Sequence, residues 1–349
     1  MPARTDVPCW GMLKPRCTDD LIDQVAEFRA SLVEWFRQDG RDYPWRRTQD
    51  PYAILVSEVM LQQTRLAVVQ GKGYYQRFMD AFPTVYDLAK ADEQSLLRVW
   101  EGLGYYRRAR MLQSTAVAVS ERYQGCFPIE EKDLLELPGI GRYTAAALRS
   151  FAHNLPSPLV DGNVMRVFSR LFDDDTPIDS TQGMQRSWQR ADDLLDRQHP
   201  RWFNSALMEL GQRICRVGVP DCLDCPVSSF CRTLHPEMLP VKAKRTETTE
   251  IVERAIWNCR ADGHLLLHRE SGSRRNGLWR LPQREGHLLE SRGLLLEMTY
   301  AITRYRVRLM VYEGAEIEPE EGDEWVAFSQ LDSHPMAAPY RKALQSLLD

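Results

Sequence analysis

Four of the eight cysteines fall within seventeen consecutive residues, as Cys215, Cys222, Cys225 and Cys231, spaced C-x6-C-x2-C-x5-C. That crowding ties 215–231 into one loop closed on a shared centre. In a reducing compartment it points to metal or cluster ligation, not to disulfides. Four thiolates hold a tetrahedral zinc or an iron–sulfur cluster. Zinc ribbons usually use two separated C-x2-C knuckles, and only one is present here. A single wrapped loop suits a [4Fe–4S] cubane, and unligated structural cysteines are the plain alternative. Cys9, Cys17, Cys126 and Cys259 are scattered.

A chain of 349 residues is long for one core, so two domains are expected. The hydropathy pattern divides it in the same way. Residues 18–235 read as helices with short connections. In "TDDLIDQVAEFRASLVEWF" the apolar residues Leu21, Ile22, Val25, Phe28, Leu32, Val33 and Phe36 form a stripe of period 3.6. "VMRVFSRLF" repeats it with Val164, Val167, Phe168 and Leu171. Residues 236–250 are polar, charged and proline-containing, and read as a linker. Residues 251–349 carry strand-like runs and read as a small α/β domain. In "TYAITRYRVRLMVYEG" the alternation places Ala301, Thr303, Tyr305, Val307, Leu309 and Val311 on one face and Arg304, Arg306 and Arg308 on the other. No run of eighteen apolar residues appears, so no membrane span is expected. The first seventeen residues lack the apolar core of a secretory signal, so a cytoplasmic protein is the default. The net charge of −4 hides local basic clusters, Arg46–Arg47 and "YYRRAR" at 105–110 among them.

Three stretches carry chemistry. In "DPYAILVSEVMLQQT" Asp50-Pro51 starts a helix, and Glu58 lies about two turns in, one turn from Ile54, Leu55 and Leu61. A carboxylate on an apolar face is either a paired core residue or an acid whose proton is retained by desolvation. "LLELPGIGRYTAAALRSF", at 134–151, is a helix–turn–helix. Its Gly139 and Gly141 permit positive φ, and its turn aims N–H groups outward as an anion site or else simply joins two helices. "PLVDGNVMRVFSRLF" places Asp161 as the N-cap of a helix, where backbone N–H groups would keep it ionised. Two carboxyls in opposed environments are the pattern of acid-plus-stabiliser chemistry at a glycosidic bond.

With "YPWR", "WEGLGYYRRAR", "VDGNVMRV" and "ALMELG", these stretches resemble the helix-hairpin-helix DNA glycosylases, and most closely the MutY family of adenine DNA glycosylases. The likeness is close over roughly 28–235 and loose over 250–349. It implies a mostly α helix-hairpin-helix glycosylase fold with a [4Fe–4S] loop, followed by a small Nudix-like α/β domain that reads the lesion without hydrolysing nucleotides. The implied substrate is double-stranded DNA with adenine mispaired with 8-oxoguanine or guanine, bound by a monomer. By the same resemblance Glu58 protonates the leaving adenine, Asp161 stabilises or captures the sugar cation, and Asn163 positions that carboxylate. Arg41, Trp45, Arg46 and Glu209 line the pocket of the extruded base. Gln63, with Thr64 beside it, and Tyr105 fill the stack around the opposite base. The hairpin, through Leu137, Gly139 and Gly141, grips phosphate. Cys215, Cys222, Cys225 and Cys231 ligate the cluster. Strand-cutting members carry lysine at the position of Tyr143, so a monofunctional enzyme is implied.

Three departures stand out. "VVQGKGYYQRF" lacks an expected proline, and Tyr43 replaces an aliphatic residue. The lesion-reading loop, Phe-Ser-His in the family, is Ile302, Thr303 and Arg304 here. Arginine offers donors only and cannot accept from the N7–H that distinguishes 8-oxoguanine. The stretch before this loop is also short, as if a helix were reduced. A same-fold glycosylase with another mismatch or modified-base target, and a non-catalytic DNA-binding iron–sulfur protein, are the alternatives.

Overall fold

The computed structural model describes residues 24–243, 248–272, 275–302 and 304–348. Leu21, Ile22 and Thr303 therefore lie outside the described residues. Up to residue 243 the described chain is helical: α1 (Val25–Asp39), α2 (Pro51–Leu61), α3 (Leu66–Gly71), α4 (Tyr74–Ala81), α5 (Val85–Lys90), α6 (Glu93–Trp100), α7 (Arg107–Tyr123), α8 (Glu131–Leu135), α9 (Arg142–Ala147), α10 (Gly162–Leu171), α11 (Thr181–Leu194) and α12 (Pro200–Arg213). Strands β1 (Thr249–Trp257), β2 (His264–Arg269), β3 (Trp279–Arg280), β4 (Leu294–Ile302), β5 (Tyr305–Glu313) and β6 (Asp323–Ala327) follow, then helix α13 (Ala338–Leu348). No described helix is long and apolar enough to cross a membrane.

The chain forms two compact units, one of Met1–Tyr43 with Arg149–Ala243, the other of Pro44–Leu148 with Lys244–Asp349. The helical stretch expected as one body thus contributes to both. In the first unit the sequence stripes meet. Phe28, Leu32, Val33 and Phe36 of α1 bury against Val164, Val167, Phe168 and Leu171 of α10 and Phe203, Ala206, Leu207 and Leu210 of α12. The cysteine loop joins this core through Val227 and Phe230, whose ring meets Phe28 edge-on at 5.7 Å. Part of the expected linker is ordered here too. Val241 accepts from the backbone N–H of Ile178 at 3.0 Å, and the Leu239 side chain is buried.

In the second unit α2 is buried all round, with every residue from Tyr52 to Met60 inside. It has no solvated face, so the expectation of one apolar side understates its burial. Such a helix belongs at the centre of its unit. Asp50 caps it as expected, accepting from Tyr52 N at 3.0 Å, with Pro51 at the first position.

The sheet region contains two three-stranded sheets, ordered β1-β5-β4 and β3-β2-β6. β1 runs parallel to β5, and β4 antiparallel to it. The run expected as one alternating strand is instead the β4–β5 hairpin. Val307, Leu309 and Val311 are fully buried as expected, but Ala301 is on β4, paired with Arg306 and exposed. A two-residue turn reverses odd–even parity, so Met298, Tyr300 and Ile302 share a face with Tyr305, Val307 and Leu309, and a single alternation drawn through the turn puts β4 on the wrong face. Between β3 and β4 only a short 3-10 turn, Gly286–Leu288, remains, in line with the expected loss of a helix.

Candidate active site

Glu58 is 6% exposed and has a partner: the Tyr143 hydroxyl donates to its Oε2 at 2.8 Å. Tyr143 is the second residue of α9, directly after the glycine hairpin, so the hairpin positions the phenol against α2. Sequence reasoning marked Tyr143 only as the residue standing in for a lysine; its contact with Glu58 was not legible. Trp45, in the 3-10 turn Pro44–Arg46, is buried with its ring edge-on to Tyr75 at 5.2 Å. Arg46 is partly exposed in the same turn.

The hairpin differs from expectation in two residues. Gly139 has φ +78, and a Cβ there would stand 3.0 Å from Met111 Cβ, so glycine is required. Gly141 has φ −100 and ψ 178, extended backbone, and serves as the N-cap of α9. Leu137 is not available to a phosphate. Its side chain is buried, its N–H donates to Leu134 O and its carbonyl accepts from Ile140 N. Thr115 Oγ1 donates to Pro138 O at 2.5 Å and holds the turn to α7.

In the first unit Asp161 caps α10, accepting from Val164 N at 2.7 Å and from Asn163 Nδ2 at 2.8 Å. The residue is half-buried, but protein surrounds the carboxyl itself. Burial pushes its pKa above the ordinary carboxylate value, although the bonds from Val164 and Asn163 and the charge of Arg166 pull the other way. The cap pulls toward the ionised form as expected, but desolvation, which the sequence did not show, acts more strongly the other way. Asn163 Oδ1 accepts from Arg166 Nη2 at 2.9 Å, and Arg166 also donates to Cys215 O at 2.8 Å and Gly211 O at 2.7 Å. A Cβ at Gly211 would approach Asn163 Cβ to 2.7 Å, so the glycine of "ALMELG" lets α12 pack against the capping turn. Glu209, fully buried on α12, accepts from the backbone N–H of Arg41 at 2.9 Å and from Arg213 Nη1 at 2.9 Å.

The four clustered cysteines are partly buried and sense one another's charge. Burial pushes the Cys225 thiol up to about 12 and Cys231 to about 11. As free thiols Cys225 and Cys231 are protonated at neutral pH; ligation would take the cysteines as thiolates and release protons. Among the described residues no group of three or more His, Cys, Asp or Glu side chains is arranged to hold a metal ion. The loop is pinned by Arg170, buried in α10. It donates to Leu239 O (3.0 Å), Arg216 O (2.7 Å) and Gly218 O (2.9 Å), and its Nη1 lies 3.3 Å from Cys215 Sγ.

Gln63 and Tyr105, expected in the stack, are exposed residues with left-handed backbone, φ 56 and 47. Thr64 follows Gln63 and is half-buried. Arg304, at the β4–β5 turn, lies over the Tyr305 ring with its carbon 5.2 Å from the centroid. Of the expected arginine row, Arg308 is committed to Glu297 by two bonds, at 2.7 and 2.9 Å.

Comparison with known proteins places these features in context. A family model described as HhH-GPD superfamily base excision DNA repair protein matches residues 56–191. The chain is 43% identical over 220 residues to the adenine DNA glycosylase of Homo sapiens, covering 60% of this chain and 40% of that protein. It is 33% identical over 232 residues to that of Buchnera aphidicola subsp. Baizongia pistaciae, covering 66% and 65%. The chain thus spans about 40% of the length of the human relative. Among solved structures, a thermostable thymine-DNA glycosylase is 29% identical with TM-score 0.54, covering 60% of this chain and 95% of that one. A trapped endonuclease III–DNA covalent intermediate, 23% identical with TM-score 0.51 over 62% and 96%, shares the fold.

Proposed function

We propose that this chain, which belongs to the HhH-GPD superfamily of base excision DNA repair proteins, is a monofunctional adenine DNA glycosylase that hydrolyses the N-glycosidic bond of an adenine mispaired with 8-oxoguanine or guanine. The observation that carries this reading is the burial of Glu58 within α2, where the Tyr143 hydroxyl orients its carboxyl. Adenine leaves a sugar poorly unless a ring nitrogen is protonated, and an ordinary glutamic acid, with pKa about 4.3, holds no proton at neutral pH. Burial in α2 favours the neutral carboxyl, so Glu58 serves as the acid. The target must first leave the duplex, because the glycosidic bond is unreachable within the stack. Trp45 and Arg46 then contact the extruded base. Asp161, held by the Val164 N–H and the Asn163 amide, stabilises the positive charge that develops on the sugar. That charge itself favours the ionised carboxylate. A phenol cannot form a Schiff base, so Tyr143 is consistent with base release without strand cutting.

The cysteine loop fits a [4Fe–4S] cluster. Its donor set is four thiols, and the Arg170 guanidinium beside Cys215 Sγ offsets the negative charge that four thiolates bring. Bound there, the cluster would fix the loop and, with it, the C-terminal end of α12. The sheet region is read as the Nudix-like domain that inspects the opposite base through Ile302, Thr303 and Arg304. Arg304 supplies donors only, which favours a second reading with an altered opposite-base preference.

One experiment tests both. Glu58→Gln should abolish base release from an adenine:8-oxoguanine duplex while leaving DNA binding measurable. A panel varying both bases ranks the substrates. Unchanged turnover in Glu58→Gln would refute the acid assignment, and a preference for an opposite base other than 8-oxoguanine or guanine would replace the first reading with the second.

A further inference from the structure

One buried guanidinium in the second unit makes more contacts than any role given so far requires. Arg108, near the start of α7, donates through Nη1 to Val59 O (2.8 Å), Met60 O (3.0 Å) and Gln62 O, the carbonyls that α2 leaves open at its end. Its Nη2 donates to Thr64 Oγ1 at 3.0 Å and Leu103 O at 3.2 Å, with a longer approach to Gly104 O at 3.4 Å. The same group lies over the Trp100 and Tyr105 rings, 5.5 and 5.6 Å from their centroids. Burial lowers its pKa to about 10, so it stays charged at neutral pH. Lysine could not reproduce this set, because its three donors spread from one nitrogen whereas the planar fork spans two turns.

Each of the two turns it joins holds a non-glycine residue in left-handed backbone, Gln63 and Tyr105, a conformation also found elsewhere at Gln124, Asn154, Asp173 and Glu316. Each such residue costs roughly 1–2 kcal/mol. Neither turn lies within a regular ladder that would hold it. Both side chains project outward, the Tyr105 residue 49% exposed. These are the side chains expected to occupy the stack when a base is drawn out. Were the turns loose, every extrusion would have to order them first, at the expense of the extruded state.

We propose that Arg108 is a positioning residue that locks the Gln63 and Tyr105 turns into one rigid wedge, ready to fill the stack as the target base leaves. The inference rests on the glycosylase reading. It assigns Arg108 no contact with the base or the sugar; its effect is on the extrusion equilibrium.

The test uses the full chain in a Glu58→Gln background, so that no base is released, and a duplex with 2-aminopurine in place of the target adenine. Fluorescence at saturating protein reports unstacking, and the same titration reports binding. Adding Arg108→Lys should lower the extrusion equilibrium about tenfold, equivalent to about 1.4 kcal/mol, with DNA still bound and circular dichroism showing a folded chain. Arg108→Met should lower it further; should that variant not fold, the lysine variant alone decides. An extrusion plateau unchanged by Arg108→Lys would overturn the inference and leave the glycosylase reading intact. No fluorescence rise with the Glu58→Gln parent itself would defeat both.

Discussion

Asp161→Asn separates what the first carboxylate of α10 does for stability from what it does for chemistry. Asparagine is as good an N-cap as aspartate, so the bond from Val164 N, 2.7 Å long, is retained. The bond from Asn163 Nδ2 is not, because one amide N–H then faces another, and Asn163 Oδ1 is already engaged by Arg166. That loss is about 1 kcal/mol. Against it stands the burial of the carboxylate, which raises the Asp161 pKa in the folded chain. A raised folded pKa means the native state holds its proton to higher pH than the unfolded state. The associated stability is complete below the unfolded value, about 3.9, and is lost as pH rises through the folded one. The slope reaches at most about 1.4 kcal/mol per pH unit for one proton. The variant has no such term. Urea unfolding of both proteins from about pH 4 to neutrality should therefore show Asp161→Asn the less stable in acid, with the deficit shrinking or reversing as pH rises. A wild-type advantage that grows with pH would mean that the cap and Arg166 win over burial, and would refute the reasoning. Base release by the variant should be lost at every pH.

Two further perturbations bear on the same framework. Arg170→Met leaves the buried carbonyl of Leu239 without its donor and releases those of Arg216 and Gly218, which lie on exposed residues; at about 1–3 kcal/mol for the one buried group, urea denaturation should show a loss of at least about 1 kcal/mol, with reduced iron retention, and an unshifted midpoint would show that the loop does not depend on this residue. Tyr143→Phe removes a donor that favours the ionised form of Glu58; the descending limb of the single-turnover pH profile should move to higher pH, and a limb that stays or moves down would show that the phenol does not act on that proton.

What could be read from the sequence follows a physical pattern. The capping of α2 by Asp50 and of α10 by Asp161, and the stripes of α1 and α10, depend on local chemistry and on a period of 3.6, so they were legible. The β4–β5 hairpin was not: its one mark, inner positions that are even up to Ile302 and odd from Tyr305, is a shift of phase that a single alternation over the run passes across. Nor was the desolvation of Asp161: a cap is written in the sequence, whereas how much protein closes over it is a tertiary property. Leu137 looked like part of a phosphate grip because it sits in the hairpin motif, yet its N–H, carbonyl and side chain are all spent inside.

The residues that sequence reasoning missed are of one kind. Arg108, Arg166 and Arg170 are guanidiniums drawn into the protein, and each spends most of its donors on backbone carbonyls at turns and helix ends, with Arg108 Nε left buried and unmatched among the described residues. In a helical pattern such an arginine looks like any residue of the polar face. A buried cation is costly unless its donors are mostly matched, and carbonyls at helix ends and in irregular turns are the backbone acceptors left without intrahelical partners. The two needs satisfy each other wherever an irregular segment must be held in one conformation. The three segments so held are those proposed to carry function: the Gln63 and Tyr105 turns, the Asp161–Asn163 cap, and the cysteine loop. Arginine is specific to this arrangement, since its five donors lie in one plane and reach several carbonyls at once. The glycosylase reading therefore predicts sensitivity to arginine-to-lysine changes at these buried positions greater than at surface arginines such as Arg306, whose ion pair with Glu250, at 3.6 Å, is an exposed one.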